Sequence, residues 1–274
     1  MTRNKRPARS IWELEFFSKL NLPARTGQRW NWLLLALLCA PLITLPHGAT
    51  AATVTAQVGL TPPARSRAKG PDYSNIVFWL TPLSSDLAGE ADAKLSGLPH
   101  HFQLVQTHKA FEPHLLVVPV GSMVEFPNHD PFFHNVFSLF DGKRFDLGLY
   151  EAGTTRSIKF DRVGVSFIFC NIHPQMSAVV IAMKTPYFAV SDKSGGVKVR
   201  NVPAGQYRLV IWSEQALPET LKGLEREVKV TEESGALGSI MIKSTRNLLA
   251  GHKNMYGVDY DTIEPPNPVY KQPR

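Results

Sequence analysis

From residue 53 onward the chain is written in short runs of four to eight residues separated by turn residues, and this grain constrains the fold more than any other feature. Residues 53–60 alternate, with Val54, Ala56 and Val58 on one face. Residues 76–80 (IVFWL), 165–170 (VSFIFC) and 178–183 (AVVIAM) are continuous apolar stretches of the kind that form buried strands. Residues 154–160 alternate again. The breaks are Gly121-Ser122, Val163-Gly164, Ser194-Gly195-Gly196 and Pro203-Ala204-Gly205, which read as turns. Residues 84–99 are rich in Gly, Ala and Asp and are expected to form a long loop with at most a short helix. The only other helical pattern is a weak one over 213–224. Strands of this length and spacing predict an all-β chain built as sandwiches or barrels.

The pattern pauses at residue 185 and restarts. The expected division is therefore a first β domain over 52–184 and a second, smaller β-sandwich unit over 185–247. The segment 248–274, ending EPPNPVYKQPR, is polar and Pro-rich and is expected to be a flexible tail.

Charge is distributed in a way that excludes one class of partner. The net charge is +7, but residues 1–51 alone carry seven Lys/Arg against two acids, which leaves the rest of the chain near neutrality at +2. A nucleic-acid-binding protein needs its basic charge on the folded domain. Here the excess sits on a leader, so no nucleic-acid partner is expected. Within that leader a basic region precedes an apolar run over 32–45, and Ala49-Thr50-Ala51 supplies small residues at a cleavage position. Residues 1–51 are expected to be a signal peptide, or an N-terminal anchor if uncleaved, which would attach the protein to a membrane. The expected location is periplasmic or otherwise extracytoplasmic.

Of the two cysteines, Cys39 lies in the leader. Its removal leaves Cys170 alone, unable to form an internal disulfide. The surroundings of Cys170 set it apart from an inert core thiol. It opens the run CNIHPQM, which places Cys170, His173 and Met176 at the spacing C-x2-H-x2-M. A thiolate, an imidazole and a thioether on one short loop suit a soft, redox-active metal, and two His with one Cys and a weak axial Met is the donor set of blue copper sites. The second histidine has to come from elsewhere. His134, in PNHDPFFHNVFS, stands immediately before a strand and is the candidate. Structural zinc is the rival assignment, but zinc prefers closed Cys/His sets, and Met is a poor ligand for it.

The succession of FEP (111–113), VGSMVEFPNHD, HNV and GVSFIFCNIHPQM resembles the cupredoxins, the blue copper proteins, over roughly residues 104–184. The short C-x2-H-x2-M loop looks most like that of the amicyanins. The resemblance implies a cupredoxin-like Greek-key β-sandwich with one type 1 copper per chain, held by His134, Cys170, His173 and Met176. It also implies that Asn135 hydrogen-bonds across to the Cys loop, fixing ligands from outside the metal sphere. The run GGVKVRNVPAGQYRLVIW (195–212) resembles the carboxypeptidase regulatory-like or transthyretin-like sandwich.

Together these features predict an exported carrier of single electrons rather than an enzyme, with a redox partner docking near His173. Phe132, Phe133 and Pro174 would form an apolar rim there. The alternatives are a copper enzyme, for which the chain lacks His-x-His or Cys-His pairs, and a non-redox copper-binding or adhesive assembly module. His129 is expected to be exposed. His100, His101, His108 and His114 are scattered without ligand spacing.

Overall fold

The computed structural model describes residues 51–61, 72–139, 142–233 and 235–245. The expectations for the leader and for the tail fall outside these residues. In chain order the strands are β1 (Ala51–Thr61), β2 (Val77–Pro82), β3 (His101–Gln103), β4 (Val105–Thr107), β5 (Ala110–Glu112), β6 (Leu115–Pro119), β7 (Ser122–Pro127), β8 (His134–Ser138) and β9 (Phe145–Tyr150). They continue with β10 (Thr155–Phe160), β11 (Gly164–Phe169), β12 (Ser177–Met183), β13 (Phe188–Val190), β14 (Gly196–Pro203), β15 (Gly205–Trp212), β16 (Arg226–Val230) and β17 (Ala236–Lys243). Helix α1 (Ser85–Ser96) follows β2, and the short α2 (Pro218–Lys222) follows β15. The all-β expectation is met.

Four sheets make two sandwiches. The first pairs the sheet β10-β7-β3 with the sheet β6-β12-β11-β8-β9. Leu104, Val118, Val124, Phe126, Val136, Phe160, Ile168 and Val180 fill the space between them, together with Cys170 and Met176. The second pairs β14-β1-β17 with β13-β2-β15-β16 around Val54, Val58, Ile76, Phe78, Leu80, Tyr187, Tyr207, Leu209 and Ile242.

Strand pairing crosses the expected division at residue 184. β1 lies antiparallel to β14 and parallel to β17, and β2 lies antiparallel to β13 and β15. The smaller sandwich is thus made from both flanks of the chain, and the sandwich of β3 and β6 to β12 is set between them. Partners more than a hundred residues apart leave no local trace, whereas the restart of the pattern at 185 reads as a boundary. Within the motif over 195–212, the Pro203-Ala204-Gly205 turn carries the chain from one sheet of the sandwich to the other.

A third apolar cluster joins the sandwiches. Val179, Ile181 and Met183 of β12, with Val165 and Phe167 of β11 and Leu115 and Val117 of β6, pack against Val77 and Trp79 of β2, Phe188 of β13 and Trp212 of β15. The outer face of one central sheet is therefore covered by the outer face of another. This explains why IVFWL and AVVIAM are continuous apolar runs: strands covered on both faces lose the alternation that a half-solvated strand shows.

Residues 84–99 are not mainly a loop. Ser84 caps a three-turn helix by accepting the Leu87 N–H at 3.4 Å, Asp86 and Lys94 complement its ends, and Glu90 pairs with Lys94 at 2.8 Å. Leu87, Ala91 and Leu95 recur every four residues, and Ala91 and Leu87 pack into the smaller sandwich. The weak helical pattern over 213–224 corresponds to α2.

Candidate metal centre

The antiparallel arrangement of β8 and β11, aligned at Phe137 and Phe169, brings the start of one beside the end of the other. His134 opens β8, and Cys170 directly follows β11. The β11–β12 register closes at Phe169 and Ser177, so residues 170–176 must turn back within seven residues. Two backbone bonds hold that turn: the Cys170 N–H donates to the Met176 carbonyl at 3.3 Å, and the Met176 N–H to the His173 carbonyl at 2.9 Å.

Three donors meet there. Cys170 Sγ lies 3.7 Å from His134 Nδ1 and 3.6 Å from His173 Nδ1, and the two Nδ1 atoms are 3.0 Å apart. A triangle with these sides has its centre about 2.0 Å from every corner, close to the ~2.0–2.1 Å of a metal–imidazole bond and a little inside the ~2.3 Å of a metal–thiolate bond. Among the described residues this is the one group of three or more His, Cys, Asp or Glu side chains close enough to share an ion. Met176 is completely buried and belongs to the same interior cluster as Cys170. The donors fit a soft metal.

His134 is fully buried and held by a residue that the sequence reading passed over. Its Nε2–H donates to Asp130 Oδ2 at 2.8 Å. A carboxylate only accepts, so the proton sits on Nε2 and Nδ1 keeps a free lone pair facing the sulfur. Burial works against the charge on Asp130, but hydrogen bonds from the Lys109 N–H, His134 and the His108 N–H outweigh it and hold the carboxyl below its usual range. The available signal was a carboxylate four residues before the histidine, in a Pro-bearing loop.

Asn135 does not reach the Cys loop. Its Nδ2 donates to Asp146 Oδ1 at 2.7 Å, and its Oδ1 is buried without a hydrogen-bond partner. Asp146 also takes the Gly148 N–H at 2.8 Å, so the carboxylate that captures the amide belongs to a turn within β9. A neighbouring buried group was also missed. Tyr150, opposite His134 in the β8–β9 ladder, donates its hydroxyl to the Phe126 carbonyl at 3.0 Å and accepts from Gln106 Nε2. Burial pushes this phenol well above its ordinary range.

The outer edge of the site is apolar. The Phe132 ring sits 5.2 Å from that of His134 and 5.5 Å from that of His173, with Lys109 Nζ 5.3 Å above it. His173 is partly exposed. Its basicity is depressed first by burial, then by the facing His134 and Lys109, which favours the neutral ring that metals bind. Phe133, next to Phe132 in the chain, is half exposed, and Ile172 and Pro174, the chain neighbours of His173, are exposed. Of the remaining histidines, His129, His101 and His108 are exposed, His100 faces Ser122 Oγ at 3.5 Å, and His114 pairs with Glu214 at 2.6 Å. None of them joins the cluster. Among the described residues no helix is long and apolar enough to cross a membrane.

No protein-family model matches the chain, and no curated protein matches it. Similar solved structures include the Cu-containing nitrite reductase from Thermus scotoductus SA-01, 26% identical over 31% of this chain and 22% of that one, at a TM-score of 0.29. They also include a purple cupredoxin from Nitrosopumilus maritimus, 25% identical over 30% of this chain and 98% of that one, at 0.27. Amicyanin from Paracoccus versutus is 20% identical over 32% of this chain and 88% of that one, at 0.28. The chain spans less than a quarter of the nitrite reductase. With TM-scores this low, the donor geometry is what carries functional weight.

Proposed function

We propose that this protein carries single electrons, using one copper ion that Cys170, His134, His173 and Met176 would hold. The observation that carries the reading is the convergence of one thiol and two imidazole nitrogens on a point about 2.0 Å from each, at distances of 3.0–3.7 Å from one another. Copper held there would supply a one-electron couple between Cu(I) and Cu(II), its potential tuned by the Cys170 thiolate and the Met176 thioether.

The chain's own residues do the rest. Cys170 gives up its proton to bind as a thiolate. His134, locked from behind by Asp130, and Cys170, tied to Met176 through the backbone, cannot move far. A fixed ligand set means little rearrangement when an electron arrives or leaves. His173 offers its partly exposed edge as the route outward, and Phe133, Ile172 and Pro174 give a redox partner an apolar surface to dock on. The thioether at Met176 favours copper over zinc. The leader reading of residues 1–51 supports a location outside the cytoplasm.

The test is an absorption and EPR spectrum of the protein loaded with Cu(II). The expected result is one copper per chain, an intense visible band that disappears in Cys170→Ser, and reversible bleaching by a small reductant. A colourless copper complex, or one that no reductant changes, refutes the carrier function. More than one tightly bound copper per chain would point to catalysis instead.

A further inference from the structure

The hairpin of β4 and β5 carries none of the expected ligands, yet its two-residue tip touches the site. His108 and Lys109 both have left-handed backbones, with φ of 53° and 55°. Such a turn ordinarily takes Asn-Gly, because β-carbon sterics oppose positive φ. The conformation points two successive N–H groups the same way, and both land on one carboxylate: His108 N–H on Asp130 Oδ1 at 2.7 Å, and Lys109 N–H on Oδ2 at 2.9 Å. Oδ2 also receives the His134 Nε2–H. Two further bonds hold the loop to itself, and one more ties it to the hairpin. The Asp130 N–H donates to Asn128 Oδ1 at 3.0 Å, Asn128 Nδ2 to the Phe132 carbonyl at 2.8 Å, and the His129 N–H to the Gln106 carbonyl at 2.8 Å.

We infer that the His108-Lys109 turn is an outer support of the metal centre and that Asp130 is its positioning residue, setting both the tautomer of His134 and the potential of the site. A neutral side chain would tether the loop as well. What a carboxylate adds is three acceptor positions filled by N–H groups, two of them rigid backbone, so the imidazole's orientation is referred to the hairpin rather than to its own loop. It also adds a negative charge 2.8 Å from a ligand ring, which favours the more positive oxidation state and lowers the reduction potential. The part of this inference that concerns potential rests on the proposed electron-carrier function; the part that concerns the tautomer does not.

The experiment has two arms. In the first, ¹⁵N NMR of the metal-free full chain reads the His134 ring. The expected result is the Nε2–H tautomer with a slowly exchanging ring proton; the Nδ1–H tautomer overturns the inference whatever the protein does with copper. In the second, the copper-loaded protein is compared with Asp130→Asn and Asp130→Glu. The amide cannot accept all three N–H groups. Asp130→Asn should therefore lose about 10- to 100-fold in copper affinity, raise the midpoint potential and alter the EPR spectrum, with Asp130→Glu restoring part of each. A wild-type potential, affinity and EPR spectrum in Asp130→Asn overturns the positioning role while leaving the carrier function standing. A wild type with no thiolate band, but with the Nε2–H tautomer, fails the carrier function alone. Should Asp130→Asn not fold, Asp130→Glu and the tautomer remain decisive.

Discussion

Ile181→Ala tests whether the two sandwiches are joined face to face. Ile181 is 2% exposed on β12 and belongs to the cluster shared with Val77, Trp79, Phe188 and Trp212. The substitution removes three carbons, worth ~2.4 kcal/mol at ~0.8 kcal/mol per buried methylene, and an incompletely collapsed cavity adds to that, within the ~2–5 kcal/mol typical of such truncations. In a folded body of about 200 residues each kcal/mol moves the melting temperature by ~2–4 °C, so a loss of ~5–10 °C or more is expected. Were this face of the sheet bare, the change would cost no more than ~0.5 kcal/mol and ~1–2 °C. Val163→Ala, at a position 58% exposed just before β11, supplies that baseline in the same protein. Thermal unfolding followed by far-UV circular dichroism reads both. An Ile181→Ala midpoint within a degree or two of the Val163→Ala midpoint would refute the joined-face packing.

Three further outcomes are expected. His114, ahead of β6, pairs with Glu214, beyond β15, and also donates from Nδ1 to the Ser177 carbonyl at 3.1 Å; the bond to Glu214, opposed by burial, raises its pKa. A raised folded-state pKa means stability that is fully present below about pH 6.5 and lost as pH rises through the higher value. His114→Gln should thus destabilise the protein more at pH 5.5 than at pH 9, by less than about 1 kcal/mol because the imidazole is 41% exposed; equal melting shifts at the two pH values would contradict it. Gly195 has φ of +87°, and a β-carbon there would run into the Val58 carbonyl. Gly195→Ala should therefore cost about 2 kcal/mol or more in urea unfolding. Stripping copper with a chelator should lower the melting temperature, since a ligand at a thousand times its Kd adds ~4 kcal/mol; His134→Ala, compared with and without copper, should show no such difference.

The residues proposed as donors were legible because their logic is local. C-x2-H-x2-M lies within a single seven-residue loop, and His134 announces itself by standing at the mouth of a strand. Their support was not legible. Asp130 looks like any loop acid until its partners are known, and His108-Lys109 breaks the residue preferences by which a turn with positive φ is recognised. Asn135 was assigned by likeness, and a carboxylate on the neighbouring strand, Asp146, claims its amide instead. Helix α1 was readable in principle, with a serine cap, a Leu87-Ala91-Leu95 stripe and Gly97 behind it, but Gly89 and the small apolar residues masked the period. The β1 and β2 partners depend on long-range pairing, which no window of sequence contains.

The strands on either side of the loop 170–176 are covered on both faces. β11 sends Ser166 and Ile168 to one side, into its own sandwich, and Val165 and Phe167 to the other, against the second sandwich. β12 does the same with Ala178, Val180 and Ala182 against Val179, Ile181 and Met183. The two strands that carry the loop of Cys170, His173 and Met176 are therefore gripped from both faces, while His134 is gripped from behind through Asp130. Close-packed interiors resist displacement from either side, so the cost of moving a donor is borne by two cores and a hairpin rather than by the loop itself. A sheet left half solvated would have strands that alternate; the unbroken apolar runs at 76–80 and 178–183 instead match strands covered on both faces.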